Sequence, residues 1–138
     1  MTPKEVVVDS SALLAWLFLE LGYKTVDRIL AHAIAPVSVI TEVLYIASGR
    51  GHRSSPDEIV QDLIGMGVKI ESILESDAIR AAELIAESRK SRKNKNEPTL
   101  SLGDGLCIAV AERLGLIVTG GDDHWGDFEL KVVYQPFR

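Results

Sequence analysis

The 138-residue sequence has little of what secreted, disulfide-bonded or membrane proteins require. It contains one cysteine, Cys107, which excludes an internal disulfide and favours a reducing compartment, so we expect a cytoplasmic protein. The longest apolar run covers residues 12–19 and is too short to cross a bilayer, and no basic segment precedes a cleavable apolar stretch. No association with a membrane is therefore predicted.

Motifs for nucleotide binding are also missing, since neither G-x-x-x-x-G-K-[ST] nor G-x-G-x-x-G occurs. The formal net charge of −5 gives no overall attraction for nucleic acid. One basic run nevertheless interrupts this acidic background: Arg89, Lys90, Arg92, Lys93 and Lys95. It is either a solvated helix end, where cations suit the helix dipole, or a strip that contacts the phosphate backbone of a nucleic acid.

Short β-branched or alternating segments recur along the chain between longer amphipathic segments. Five strands are predicted, at residues 6–8, 34–37, 68–73, 116–119 and 131–134. Strands that alternate with helices are typical of a parallel sheet covered by helices on both faces. We therefore predict one α/β domain over residues 1–138, a three-layer α/β/α sandwich with a central parallel sheet of about four to five strands.

Hydroxyl residues mark the predicted helix starts. Ser38 is predicted to cap a helix over residues 39–48, and Ser55, followed by Pro56, to cap the next one. Ser101 is predicted to cap the most buried helix, which is apolar on nearly every face.

Four acidic positions stand out because packing does not require a charge there. Asp9 directly follows three valines that are typical of a strand buried on both faces, where an unpaired charge is costly. Glu42 and Asp104 lie in predicted first helical turns, and Asp122, with Asp123 beside it, follows the fourth strand. Because the carboxyl ends of parallel strands meet at one sheet edge, we expect these side chains to converge on a single site.

Most of these acids also have a purely structural explanation. Glu42 and Asp104 could complement helix dipoles or close capping boxes, and Asp122 or Asp123 could cap a turn toward Trp125. Gathered carboxylates, however, repel one another unless a cation neutralises them. An all-oxygen ligand set suits Mg²⁺ or Mn²⁺, and the reaction most natural to such a site is phosphodiester hydrolysis.

Four segments follow one another in a characteristic order. They are VVDSSAL at 7–13, TEV at 41–43, LSLGD at 100–104, and Val-Thr at 118–119 followed by Asp122 and Trp125. In this order they resemble the PIN-domain family, and more narrowly its VapC-type toxins. The resemblance implies a PIN-like sandwich fold and a metal-dependent endoribonuclease, the toxin of a toxin–antitoxin pair. It also implies an RNA substrate, Mg²⁺ or Mn²⁺ as cofactor, a small antitoxin protein as partner, and a homodimer.

The same resemblance implies roles for individual residues. The catalytic and metal-binding acids would be these four: Asp9, Glu42, Asp104 and Asp122. Ser10 and Thr119 match hydroxyl positions near the site, and the basic run from Arg89 to Lys95 would contact the substrate. We therefore expect these hydroxyl and basic residues to bind RNA.

This chain departs from the family pattern at one position. The family places its last aspartate two residues after the threonine, where this chain has Gly121. An extra residue in this turn leaves Asp123 as an alternative to Asp122.

Two other functions compete with this interpretation. A phospho-receiver module also carries a strand-end aspartate, but the sequence has no acid pair ending the first strand and no suitably placed late lysine. The second is a PIN-like fold that acts only as a non-catalytic binding partner. Separately, His124 is either a neighbouring or surface residue or a metal ligand, and Trp16 and Phe18 are either core residues or part of a dimer or antitoxin groove.

Overall fold

The structure is a computed structural model that describes residues 2–138. Its strands are β1 (Val6–Val8), β2 (Ala33–Pro36), β3 (Lys69–Glu71) and β4 (Ile117–Thr119). Its α-helices are α1 (Ser10–Leu17), α2 (Tyr23–Ile29), α3 (Val37–Gly49), α4 (Pro56–Gly65), α5 (Glu75–Ser91) and α6 (Leu102–Leu114). Short 3₁₀ turns at Leu30–His32 and Asp123–Asp127 complete the regular structure of these residues.

The four strands form one parallel sheet in the order β3-β2-β1-β4. Val7 of β1 aligns with Ile34 of β2 on one side and with Val118 of β4 on the other. Helices connect and flank the strands, so the predicted α/β class with a central parallel sheet is confirmed. β1 and β4 are neighbours, and the segments after them therefore begin side by side at the carboxyl edge of the sheet.

The core lies around β1 and helices α1 and α6. Val7, Val8 and Leu13 are fully buried, and Ile108 of α6 is as well. Burial of such side chains contributes roughly 1.5–3 kcal/mol each before the loss of conformational entropy is counted. The valines of β1 are thus held rigidly, and this fixes the backbone on which Asp9 follows.

The predicted fifth strand at residues 131–134 is wrong as a strand. Tyr134 forms one isolated parallel bridge with Val118, held by two backbone hydrogen bonds beside β4. The pairing does not extend because the Lys131 N–H donates to the Glu112 carboxylate instead of to β4. On the other side, Pro136 has no N–H to donate to a ladder. The sheet therefore has four strands.

Two helix boundaries also differ from the sequence prediction. α3 begins at Val37, directly after Pro36, so Ser38 lies inside the first turn and does not cap the helix. Proline fixes its own φ near the observed −57°, and this ends β2 and lets the helix start at once. Glu42 therefore lies in the second turn of α3. The sequence also predicts a helix over residues 23–33, but in the structure α2 ends at Ile29, because a 3₁₀ turn and β2 occupy the last residues of that range.

Two predicted helix starts are confirmed as capping boxes. The Ser55 hydroxyl accepts from the Glu58 N–H while the Glu58 carboxylate accepts from the Ser55 N–H. Ser101 and Asp104 make the same reciprocal pair at the start of α6. Across residues 2–138, the helices are all too short or too polar to cross a bilayer.

Candidate active site

Three acidic side chains meet where β1 and β4 end. Asp9 is the residue between β1 and α1, and Asp122 follows β4. Asp104 lies in the first turn of α6, whose last turn leads into β4, so its first turn lies at the carboxyl edge of the sheet. One carboxylate oxygen from each of the three lies within 4.8 Å of the other two. The sheet edge thus brings together residues that are up to 113 positions apart in the chain (122 − 9).

Asp9 is the buried member of this acidic cluster, with 3% of its surface exposed. Burial, together with the nearby charge of Asp104, raises the pKa of Asp9 from 3.8 to about 7. Hydrogen bonds from the Ser10 backbone and the Ser11 hydroxyl act in the opposite direction, because they stabilise the carboxylate. The structure thus holds an acid at a position where its charge is unfavourable without a cation.

Asp104 closes the capping box of helix α6 and also belongs to the acidic cluster. One of its oxygens accepts the Ser101 N–H at 3.0 Å in the capping box of α6. Partial burial raises its pKa, while the hydrogen bonds with Ser101 oppose that rise. The capping interpretation from the sequence is therefore correct, and it coexists with the placement of Asp104 beside Asp9 and Asp122.

Glu42 lies beside the cluster but is not among the three closest acids. Its carboxylate lies against Gly103, where a Cβ would be only 2.9 Å from the Oε1 atom of Glu42. A larger residue at position 103 would therefore displace Glu42. The charge of Glu42 is one of the minor causes of the raised pKa of Asp9. The fourth acid thus borders the site from α3.

The turn after β4 separates the two candidates for the last acid. Asp122 supplies an oxygen to the cluster, and Asp123 does not. The backbone of Asp122 is held in place, because the Tyr134 hydroxyl donates to the Asp122 carbonyl at 2.9 Å. Tyr134 packs against the fully buried Trp125, with ring centroids 5.3 Å apart. Sequence reasoning missed Tyr134, and its only signal was an aromatic residue two positions before Pro136.

The hydroxyl residues near the site contact Asp9 in different ways. Ser11, not Ser10, donates its hydroxyl to Asp9, with 3.0 Å between Oγ and Oδ2. Ser10 makes its contribution through its backbone N–H. Thr119 accepts the Asp9 N–H with its backbone carbonyl at 2.9 Å. Its side chain lines a separate cavity of about 210 Å³ that also contains Phe137.

The basic run divides between a helix end and the loop that follows it. Arg89 and Lys90 lie in the last turn of α5, and Arg92, Lys93 and Lys95 come after it, all of them exposed. Arg92 lines a cavity together with His124, which comes two residues after Asp122. The structure therefore places only this member of the run next to the turn that carries an acid of the cluster.

The remaining aromatic candidates make contacts within the chain. His124 is close enough to Asp104 for its charge to lower the pKa of that carboxyl, and its ring stands edge-on to Phe128. Trp16 donates its indole N–H to Asp27 at 2.9 Å, and Phe18 lies under the Arg50 guanidinium. Trp16 and Phe18 are thus half-buried and packed against the core.

The acidic cluster has the properties of a divalent cation site. Its donors are carboxylate oxygens from Asp9, Asp104 and Asp122, with Glu42 at its border. Hard oxygen ligands of this kind suit Mg²⁺ or Mn²⁺. The raised pKa values of Asp9 and Asp104 show that the protein does not itself neutralise these charges, so the residues present fit a metal.

Solved structures share this fold. The chain is similar to Mycobacterium tuberculosis VapC20, described as a sarcin-ricin loop cleaving toxin, with a TM-score of 0.66 and 16% identity over 93% of this chain and 98% of that one. It is similar to DNA-bound VapBC from Salmonella typhimurium, with a TM-score of 0.67 and 12% identity over 98% and 99% of the two chains. It also resembles Rickettsia felis VapBC2 bound to a promoter fragment, with a TM-score of 0.70 and 12% identity over 95% and 97%.

No curated protein sequence matches the chain significantly. The PIN domain family model matches residues 6–128, which include the whole sheet and every acid of the cluster. This match covers most of the chain, and the protein belongs to the PIN domain family.

Proposed function

We propose that this protein is a Mg²⁺- or Mn²⁺-dependent endoribonuclease, the toxin of a type II toxin–antitoxin pair. The observation that carries the proposal is the convergence of Asp9, Asp104 and Asp122 within 4.8 Å at the carboxyl edge of the sheet. It is supported by the PIN family match and by the likeness to a structure described as a sarcin-ricin loop cleaving toxin.

In this proposal the three clustered carboxylates hold the metal, and Glu42 completes the site from α3. A bound divalent ion lowers the pKa of a water and neutralises the charge that develops on a phosphodiester during in-line displacement. The Asp9 carboxylate is already buried away from water, and Ser11 orients this carboxylate by donating to its Oδ2 atom. Asp122 is the most exposed of the three acids, and its side chain is therefore placed to orient an attacking water.

RNA would approach over the exposed side of the cluster. Arg92 supplies positive charge beside the turn that carries Asp122, and in this proposal it and the rest of the exposed basic run bind the phosphate backbone. Ser10 and Thr119 remain in the proposal as residues near the substrate, although the Thr119 side chain lines a cavity with Phe137. We also propose a cytoplasmic location, which the single cysteine favours.

A protein partner is also part of the proposal. Several similar structures are described as toxin–antitoxin complexes, which supports an antitoxin for this chain. Large apolar side chains are exposed at Leu21 (79%) and Leu102 (72%), and exposed apolar groups commonly mark protein interfaces. A homodimer is proposed on the same ground.

The decisive test is cleavage of a total-RNA pool by wild type and Asp9→Asn with Mn²⁺, with Mg²⁺ or with EDTA. We expect discrete cuts that need the metal and disappear in the variant. Circular dichroism and a thermal melt would show that Asp9→Asn remains folded. Because the carboxamide keeps an oxygen that can accept from Ser11, the variant removes the charge and leaves the hydrogen bond.

Two outcomes would overturn the proposal. Cuts of equal strength from wild type and Asp9→Asn would assign the activity to a contaminating nuclease. Calorimetry with Mn²⁺ that shows no binding to wild type would favour the alternative, a PIN-like fold that acts only as a non-catalytic binding partner.

A further inference from the structure

A second cavity lies beside the turn that follows β4 and carries Asp122. Its volume is about 270 Å³, and the end of α5, the segment at 97–98 and the 3₁₀ turn Asp123–Asp127 with Phe128 enclose it. This is below the ~300–1,000 Å³ that is usual for sites of drug-sized ligands, so the cavity suits one small planar group. We call it the α5-end cavity.

Aromatic groups form part of the wall of the α5-end cavity. His124 and Phe128 both line it, and their ring centroids lie 6.1 Å apart with the ring planes at 86° to each other. Pro98 adds an apolar surface on another side. Unstacked bases of single-stranded RNA bind on surfaces of this kind, with the base face against an aromatic or apolar side chain.

Opposite charges line the same cavity at its polar side. Arg92 supplies guanidinium donors, and Glu97 and Asp127 each supply a carboxylate. One oxygen of Glu97 accepts the Lys93 N–H at 2.9 Å, which fixes the orientation of the carboxylate. Within residues 2–138, neither Arg92 nor Glu97 forms an ion pair. A fixed acceptor and a free planar donor thus share one small cavity.

We propose that the α5-end cavity binds a guanine base of the RNA, an inference that rests on the proposed ribonuclease function. Guanine presents two acceptors, O6 and N7, that match the donors of an arginine. It also carries an N1–H donor on its Watson–Crick edge, which matches the free oxygen of Glu97. Adenine presents a donor at N6 in place of the O6 acceptor, so the same cavity discriminates against it.

The position of the cavity affects which bond of a bound RNA lies near the acidic cluster. The cavity and the acidic cluster are neighbours, because His124 lines the cavity, comes two residues after Asp122 and is close enough to Asp104 to lower the pKa of that carboxyl. A base held in the cavity therefore places a neighbouring phosphodiester near the cluster. The cavity would select which bond of the RNA is cut.

Nucleotide binding without metal tests the cavity separately from catalysis. We would titrate GMP and AMP into wild type in EDTA and follow backbone amide shifts by NMR. We expect GMP to bind about tenfold more tightly than AMP, the discrimination typical of a matched bidentate pair. The shifted amides should include those of residues 91–97 and 124–128.

Two substitutions and one matched control separate base recognition from charge attraction. Glu97→Gln keeps an oxygen for the Lys93 N–H but places an amide where guanine needs an acceptor. It should remove the preference for GMP, and Arg92→Ala should weaken GMP binding about tenfold or more. Lys95→Ala removes the same charge from the same exposed run, and Lys95 is not among the residues that line the cavity. Its effect on the GMP-to-AMP ratio should be less than twofold.

Equal affinity for the two nucleotides, or an equal loss with Lys95→Ala and Arg92→Ala, would overturn the assignment. GMP selectivity without any metal-dependent RNA cleavage would support the cavity and count against the ribonuclease function. Conversely, cleavage lost in Asp9→Asn, with cut sites unchanged by Glu97→Gln, would support the ribonuclease and refute guanine recognition.

Discussion

The Ser11 hydroxyl links Asp9, which follows β1, to the turn that follows β4. Its Oγ donates to Asp9 Oδ2 at 3.0 Å and accepts the Gly121 N–H at 2.9 Å, so one hydroxyl fixes the carboxylate and the turn that carries Asp122. Asp9 lacks an arginine or lysine among its interacting groups in residues 2–138, and this hydroxyl is its side-chain hydrogen-bond partner.

The first prediction concerns this hydrogen bond. Ser11→Ala should weaken Mn²⁺ binding roughly 10- to 100-fold, because a group that orients a metal ligand typically contributes that much. Calorimetry at constant pH would measure it. Ser10→Ala should have a smaller effect, because Ser10 acts on Asp9 through its backbone. Equal losses in both variants would contradict the role given to the Ser11 hydroxyl.

The second prediction follows from the raised pKa of Asp9. Burial raises this pKa from 3.8 to about 7, so the folded protein binds the proton more tightly than the unfolded chain does. The cost of burying the carboxylate is therefore absent below pH 4 and grows as the pH rises toward 7. Asp9→Asn removes that cost.

Thermal melts without metal at pH 5 and pH 8 would measure the difference. Asp9→Asn should melt several degrees above wild type at pH 8, and the gap should narrow at pH 5. With Mn²⁺ at pH 8 the wild type alone should gain stability, since the cation neutralises the carboxylates. A gap that does not depend on pH would show that Asp9 keeps its ordinary pKa.

The third prediction distinguishes the neighbouring acids in the turn after β4. Asp122→Asn should abolish cleavage and weaken Mn²⁺ binding, because Asp122 supplies an oxygen to the cluster. Asp123→Asn removes the same charge from the next residue and should retain most of the activity, since Asp123 is outside the cluster. RNA cleavage and Mn²⁺ binding would be measured for both variants in parallel. A greater loss in Asp123→Asn than in Asp122→Asn would assign Asp123 to the metal site instead.

The fourth prediction concerns the support behind Asp122. Tyr134→Phe removes the hydroxyl that donates to the Asp122 carbonyl and should cost about 1 kcal/mol of stability. Cleavage should fall as well, because the turn is held less firmly. Tyr45→Phe is the matched control, since Tyr45 is 64% exposed on α3. Urea unfolding of both variants would test it, and equal destabilisation would count against the turn contact.

The fifth prediction addresses stability away from the site. Arg113 donates through Nε to Asp77, a carboxylate with 1% of its side chain exposed, at 2.9 Å. Arg113→Ala leaves that charge buried without its cation and should cost about 3 kcal/mol or more. Arg50→Ala breaks an exposed pair with Glu20 and the contact with the Phe18 ring, and should cost only about 1 kcal/mol. Denaturant unfolding of each variant would measure both changes in the free energy of unfolding.

Local sequence patterns were sufficient for β1, for the capping boxes at Ser55 and Ser101, and for the alternation of strands and helices. Each depends on residues a few positions apart, such as three valines or a serine three positions before an acid. Sequence order also indicated that the acids lie at one sheet edge, because parallel strands carry their carboxyl ends together.

Other features depended on contacts between distant parts of the chain. The choice of Ser11 over Ser10 comes from Gly121, which is 110 residues away. Asp122 rather than Asp123 is identified by its proximity to Asp9 and Asp104, which are distant in the chain, and residues 131–134 fail as a strand because Glu112 accepts the Lys131 N–H. The sequence by itself determined which chemical groups are available and in what order. Only the tertiary structure decided which of two adjacent residues faces the site, since a shift of one residue turns a side chain to a different neighbour and local propensity does not resolve that choice.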